Sequence, residues 1–204
     1  VCLELESTMY RHTRLDGSAL ELPVGKAVCV GRNYAAHARE LGNAVPETPI
    51  LFLKPRTAIV PLPPSFSIPE GRGSCHHETE IAVLIGQTAK NLDVDAVPAV
   101  IAGYGLALDL TLRDLQNELK KQGHPWEVAK AFDGACPLSP FISPETLGDA
   151  ATAELALSVN GEMRQQGRAA DMLTGIHALV AYISRIFTLE PGAVVLTGTP
   201  EGVA

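Results

Sequence analysis

The chain has 204 residues, 46% of them hydrophobic and only 5% aromatic, with a net charge of −7 and a pI near 5.3. Such a composition supports a buried core built on Val, Leu, Ile and Ala, and it does not fit a disordered chain. The acidic balance argues against non-specific nucleic-acid binding, which needs a basic surface, but leaves room for a small anion held by a few local Arg and Lys. No stretch free of charged residues is long enough to span a bilayer, and no segment has the order of a signal peptide. Cys2, Cys29, Cys75 and Cys136 are widely spread with no C-x-x-C pair. They read as free thiols of a reducing, cytoplasmic setting. Residues 1–8 precede Met9-Tyr10 and read as a leader outside the fold, and residues 9–204 as one domain without repeat or linker.

Residues 27–31 predict a short buried strand ended by Gly31. A two-turn helix follows, with Asn33 as its N-cap and Gly42 beyond its end, and then a loop over 43–49. Helix and loop together form a candidate lid. Residues 50–55 predict a second buried strand, and the Pro- and Gly-rich 61–74 predict irregular or edge structure. The run Ile81-Ala82-Val83-Leu84-Ile85-Gly86 predicts the central buried strand. Residues 94–101 predict a short helix, 102–110 a strand, and 112–122 a helix capped by Thr111 and stopped by Gly123. Lys120 and Lys121 at its end suit the helix dipole. Asn160-Gly161 between alternating residues predicts a hairpin. The 3.6-residue apolar period over 172–187 predicts a helix, and Val194-Val195-Leu196 a last buried strand. The class expected is α+β, a rolled mixed sheet or sandwich with a few peripheral helices.

Glu78 and Glu80 open the central strand two residues apart, so they share a face at roughly 6–7 Å. Like charges so placed repel unless a cation lies between them. Asp109 lies near the end of another buried strand and supplies a third carboxylate. Three oxygen ligands with open positions suit Mg²⁺ or Mn²⁺ better than Zn²⁺, and a Lewis-acid role better than a structural one. A solvated strand edge is the plain alternative. Zinc motifs are ruled out: Ile81 stands where the protease motif needs a second His, and no P-C-x-x-C accompanies His76-x-Glu78. The dinucleotide and phosphate-loop glycine patterns are incomplete. His76 and His77 read as structural. His37 and Glu40, three apart on the short helix, read as a general-base dyad or as an exposed pair. Lys130, in an apolar setting, can neutralise an enolate or carboxylate oxygen, or reach out to solvent. Arg113 and Gln116 share a helix face and can read a carboxylate, and the Gly-rich turn around Thr199 can hold an anion.

Taken jointly, Val30-Gly31-Arg32-Asn33-Tyr34-Ala35-Ala36-His37, Leu53-Lys54-Pro55, His76-His77-Glu78-Thr79-Glu80, Asp109-Leu-Thr-Leu-Arg-Asp114, Lys130-Ala-Phe, Val159-Asn160-Gly161-Glu162 and Leu196-Thr-Gly-Thr-Pro-Glu-Gly202 form a recognisable set. The chain resembles the fumarylacetoacetate hydrolase family in its short, single-domain form. That resemblance implies a mixed β-roll, a homodimer and a Mg²⁺ site, with Mn²⁺ or Ca²⁺ able to substitute. By the same resemblance Glu78, Glu80 and Asp109 fall on metal ligands, His37 and Glu40 on a lid dyad, and Lys130 on an active-site lysine. Family members continue past the Thr-Gly-Thr-Pro segment, so a C-terminal truncation is expected.

The expected reaction is metal-dependent cleavage of a C–C bond in acylpyruvates, the 2,4-dioxo acids such as fumarylpyruvate or acetylpyruvate. Arg113, Gln116 and Thr199 position this small anionic 2-oxo acid. His37, oriented by Glu40, activates water, and a pyruvate enolate is left beside the metal and Lys130. The same stabilisation would serve oxaloacetate decarboxylation or keto–enol tautomerisation, which is the alternative reaction. A non-catalytic, metal-stabilised dimer is the alternative of another class. Neither nucleic acid nor membrane is an expected partner.

Overall fold

The Val- and Ile-rich run at 81–85 becomes the centre of a seven-stranded sheet because both faces of that strand are covered. The computed structural model describes residues 10–62 and 64–203, so the proposed leader lies outside the described residues. In chain order the elements are β1 (Ala27–Gly31), α1 (Ala35–Glu40), β2 (Ile50–Lys54), β3 (Ile59–Pro61), β4 (Cys75–His76), β5 (Thr79–Ile85), β6 (Ile101–Leu108), β7 (Thr111–Leu112), α2 (Arg113–Gln122), α3 (Glu127–Lys130), β8 (Cys136–Leu138), α4 (Pro144–Leu147), β9 (Glu154–Val159), β10 (Glu162–Arg168), α5 (Ile176–Ile186) and β11 (Val194–Leu196). The main sheet runs β2-β1-β11-β5-β6-β8-β3. Its β1–β11 and β3–β8 pairs are parallel and the others antiparallel, so the sheet is mixed and curled, and the class is α+β as expected.

Side chains alternate across a strand, and here each alternate set meets its own core. Val28, Val30, Ile81, Val83, Ile85 and Val195 point to the face covered by Ile176, Leu179, Val180 and Ile183 of α5. Ala27, Cys29, Ala82, Leu84, Val194 and Leu196 point to the other face, where Phe141, Leu138 and Cys136 pack. Burial on both faces is why these strands read as unbroken apolar runs and show no alternation. Among the described residues, no helix is long and apolar enough to cross a membrane. Cys29, Cys75 and Cys136 are free thiols, with Cys29 and Cys136 fully buried.

Several local expectations are corrected by tertiary partners. The helix expected over 172–187 starts at Ile176. Upstream, Leu173 N–H donates to Asn33 O, Thr174 N–H donates to Asn33 Oδ1, and Met172 bridges to Tyr34, so the helix loses those backbone groups to a neighbour. Ile186, placed on its apolar face, is 54% exposed. Asn33 is not the cap of α1. Tyr34 takes that position without a side-chain bond, and the Asn33 amide donates to Thr174 O and Thr197 O instead. Leu112, not Thr111, caps α2, while Gly123 ends it in the left-handed conformation that glycine favours. The expected hairpin forms, with Asn160 and Gly161 both at positive φ. The short pairs β3–β8 and β4–β7 carried no sequence signal.

Candidate active site

Antiparallel pairing of β5 with β6 brings the start of one strand beside the end of the other: Thr79 faces Leu108 and Glu80 faces Ala107. The pairing continues one step further, with Asp109 N–H donating to Glu78 O at 2.8 Å. Three carboxylates from two distant stretches of sequence therefore meet. One oxygen from each of Glu78, Glu80 and Asp109 lies within 4.8 Å of the others, and all three residues are buried.

Buried acids need compensation, and these three receive it unequally. Lys130 Nζ stands 2.7 Å from both Glu78 Oε2 and Asp109 Oδ2. Arg113 pairs with Glu78 Oε1 while its Nη1 donates to Gln116 Oε1. Lys54, wholly buried at the end of β2, donates to the carbonyls of Lys130, Ala135 and Leu110. Its Nζ stands 2.8 Å from Asp109 Oδ1, but that oxygen accepts no hydrogen bond. Glu80 has no basic partner among the described residues, and its Oε2 accepts only the Gly198 N–H, at 2.7 Å. That approach requires a glycine: a Cβ on Gly198, at φ +93, would lie 2.7 Å from Asn33 Cβ.

The electrostatics follow from this geometry. Burial pushes the Glu78 carboxyl up, but Lys130, Arg113 and His37 hold it down at about 2. Burial and the neighbouring Asp109 raise Glu80 well above the usual carboxylate range. Burial lowers Lys130, and Asp109 and Glu78 more than reverse it, so its ammonium is firmly charged. An unbonded buried oxygen on Asp109, a carboxylate on Glu80 without a cation, and an all-oxygen donor set together fit a hard divalent ion. The residues that would hold it are Glu78, Glu80 and Asp109.

A narrow cleft lies over this cluster. His37, Glu78, Glu80, Arg113, Gln116, Lys130 and Thr199 all line it, so the structure unites these predicted residues. Asp109 and Glu40 do not line the cleft: Asp109 pairs with Lys130 and Glu40 stands beside His37, both of which do. His37 is buried, with Nδ1 3.5 Å from Glu40 Oε2 and no hydrogen bond to it. Burial lowers the His37 pKa below the usual histidine value, outweighing the pull of Glu78 and Glu40. Glu40 is half-exposed, and its other oxygen accepts the Gly202 N–H.

Four further residues belong to the site. Lys54 stood in a quoted motif without a role. Arg32 and Lys120 line the cleft, although Lys120 read only as a dipole partner. Gln165 of β10 is buried and fully bonded: Oε1 accepts from Thr79 N–H and faces His77 Nδ1, while Nε2 donates to Thr199 Oγ1 and Pro200 O. Nothing in its polar, alternating hairpin distinguishes Gln165 from Gln166. His76 and His77 each lie one hydrogen bond from a residue of the site: the Arg113 Nε donates to His76, and His77 Nδ1 faces Gln165 Oε1.

The family model "Fumarylacetoacetate (FAA) hydrolase C-terminal" matches residues 26–204. The chain is 57% identical to oxaloacetate tautomerase YcgM of Escherichia coli, over 96% of this chain and 90% of that protein. It is 45% identical to the mitochondrial oxaloacetate tautomerase FAHD1 of Homo sapiens, over 86% of this chain and 80% of that protein. The crystal structure of fumarylpyruvate hydrolase from Pseudomonas aeruginosa in complex with Mn²⁺ and pyruvate superimposes with a TM-score of 0.89 at 38% identity, covering 99% of this chain and 88% of that one. On the family match and on these identities, the chain belongs to the fumarylacetoacetate hydrolase family.

Proposed function

We propose that the chain is a divalent-metal-dependent tautomerase that interconverts the keto and enol forms of oxaloacetate. The observation that carries this reading is the 57% identity to an oxaloacetate tautomerase over 96% of the chain. It supports the alternative weighed in the sequence better than acylpyruvate hydrolysis, the reaction expected first.

The residues suit proton transfer at a carbon next to a ketone. Glu78, Glu80 and Asp109 would hold a divalent ion, Mg²⁺ first among candidates, which would supply Lewis acidity to a 2-oxo acid. His37 is neutral at neutral pH because burial lowers its pKa, so its imidazole can accept the C3 proton and return it to the enol oxygen. Glu40, 3.5 Å away and not hydrogen-bonded to the ring, favours the imidazolium formed when His37 takes that proton. Lys130 stays charged beside the cleft and favours negative charge developing on the substrate. Thr199 Oγ1 takes its hydrogen bond from Gln165 Nε2, which leaves the hydroxyl hydrogen to donate to a substrate carboxylate oxygen. Arg113 and Gln116 fix that acid from the α2 side. None of these steps needs a hydrolytic water. A structural metal would need neither His37 nor the cleft, which argues against the non-catalytic dimer.

Acylpyruvate cleavage is the second reading, favoured by the fumarylpyruvate hydrolase likeness. Enol absorbance of oxaloacetate, followed with and without Mg²⁺, decides between them alongside an acylpyruvate panel. Metal-dependent acceleration of tautomerisation, with acylpyruvates turned over slowly, is expected. Acylpyruvate cleavage with no effect on oxaloacetate would overturn the proposal.

A further inference from the structure

The cleft carries two cations beyond those that compensate the acid cluster. Lys54, Lys130 and Arg113 already pair with Glu78 and Asp109. Arg32 and Lys120 line the same cleft. Among the described residues, no carboxylate lies within ion-pair distance of either. In a chain of net charge −7, two cations without acidic partners in one narrow cleft form a local reversal of sign, the pattern that draws in an anion.

Both are held in place by the fold. Arg32 follows β1 at φ +60, while the other non-glycine residues at positive φ among the described residues, Asn91 and Asn160, are of the type that tolerates it. This strained backbone sits at the cleft, where such strain is most often functional. Lys120 lies seven residues after Arg113 and four after Gln116, so all three occupy one face of α2. Its Nζ stands 5.3 Å from the centroid of the Trp126 ring, which also lines the cleft. Burial, with the charges of Arg113, Arg32 and Lys130, lowers Lys120 to about 8. A bound anion would relieve that repulsion.

The unpaired cations set the substrate class. Lys54, Lys130 and Arg113 are engaged by Glu78 and Asp109, which leaves Arg32 and Lys120, among the described residues, as the lining cations not paired with an acid. Thr199 and Gln116 meet one substrate carboxylate. We infer that Arg32 and Lys120 form a subsite for the distal carboxylate of a short 2-oxo dicarboxylic acid, so that the cleft prefers dianions to monocarboxylates. This rests on the 2-oxo acid reading of the site above, but not on which reaction the site performs.

The test uses malate and lactate, 2-hydroxy acids that differ in the distal carboxylate, titrated calorimetrically into the Mg²⁺-loaded protein. Charge-assisted hydrogen bonds predict malate binding about tenfold or more tighter. In the double variant Arg32→Asn, Lys120→Gln that preference is expected to vanish while lactate affinity holds. Asn is chosen because it accepts positive φ, and Lys120→Gln alone carries the comparison if the double variant does not fold. Kinetics supply a second readout: the KM for oxaloacetate should rise about tenfold in the variant, and that for acetylpyruvate should not. Equal affinity for malate and lactate in the native protein, or a preference that survives in the variant, would overturn the subsite. A native protein that prefers malate yet leaves oxaloacetate unchanged would instead sink the tautomerase reading and leave the subsite standing.

Discussion

The acid cluster and the helix that carries His37 face the same cleft and are built on opposite terms. Glu78, Glu80 and Asp109 stand where two paired strands of the central sheet end, and their counter-charges arrive from β2, α2 and α3. Every one of those side chains is buried. Helix α1 has six residues and no side-chain cap, and the 43–49 stretch beyond it has no helix or strand. Its free end is tied by one hydrogen bond, Gly202 N–H to Glu40. The acids that must be held in low dielectric sit at the ends of paired strands, braced by buried cations from β2, α2 and α3. His37, the group proposed to move a proton, sits on a short element, whose stability comes from docking and not from its own length.

The sharpest way to break the contrast is to remove one acid. Asp109→Ala leaves Lys54 and Lys130 buried with an acid partner lost, and a loss of about 3–5 kcal/mol of folding free energy is expected. Urea denaturation reads it, and activity should vanish with it. A stability loss no larger than that of a surface substitution would mean the cluster is not the rigid half of the site.

His37→Ala should instead cost roughly 10²–10⁴ in kcat with little change in melting temperature or in Mg²⁺ affinity. Because burial lowers the His37 pKa, its neutral form persists to lower pH than a free histidine. The acid limb of the native pH–rate profile should therefore fall below the ordinary value of about 6.5, and a limb well above it would contradict the assigned base.

Chelation separates the halves again. Removing divalent ions with EDTA should abolish activity and lower the melting temperature, with Mg²⁺ restoring both. Glu80 holds its proton above the usual carboxylate range because burial and Asp109 disfavour its charge. Metal binding must displace that proton, so Mg²⁺ affinity should rise with pH, and calorimetry in buffers of different ionisation enthalpy should detect proton release. Affinity independent of pH would exclude Glu80 as the displaced acid.

Gln165→Ala tests the link between the halves. It strips the buried Thr79 N–H of its acceptor, at a cost of about 1–3 kcal/mol, and frees the Thr199 hydroxyl to rotate. KM should rise more than kcat falls. The smallest effect concerns motion: amide hydrogens of α1 should exchange faster than those of β5, and equal protection would erase the distinction between lid and cradle.

The sequence by itself determined the central strands, because an apolar run covered on both faces leaves no other reading, and β1 falls on residues 27–31 as expected. It also determined that Glu78, Glu80 and Asp109 needed a common explanation, since acids that border buried strands are costly. His37, Lys130, Arg113, Gln116 and Thr199 were legible as candidates from their spacing and setting and from the motifs of the family. Only the tertiary structure decided the rest. Lys54 is a lysine at a strand end until Leu110, Lys130 and Ala135 turn their carbonyls onto it. Gln165 looks like its neighbour Gln166 until β10 sets it against Thr79 and Thr199. Arg32 and Lys120 become a pair only when β1 and α2 face one cleft. Local periodicity reports which face of an element is apolar. Which distant carbonyl, acid or cation a polar side chain meets depends on long-range packing, and spacing along the chain carries no record of it.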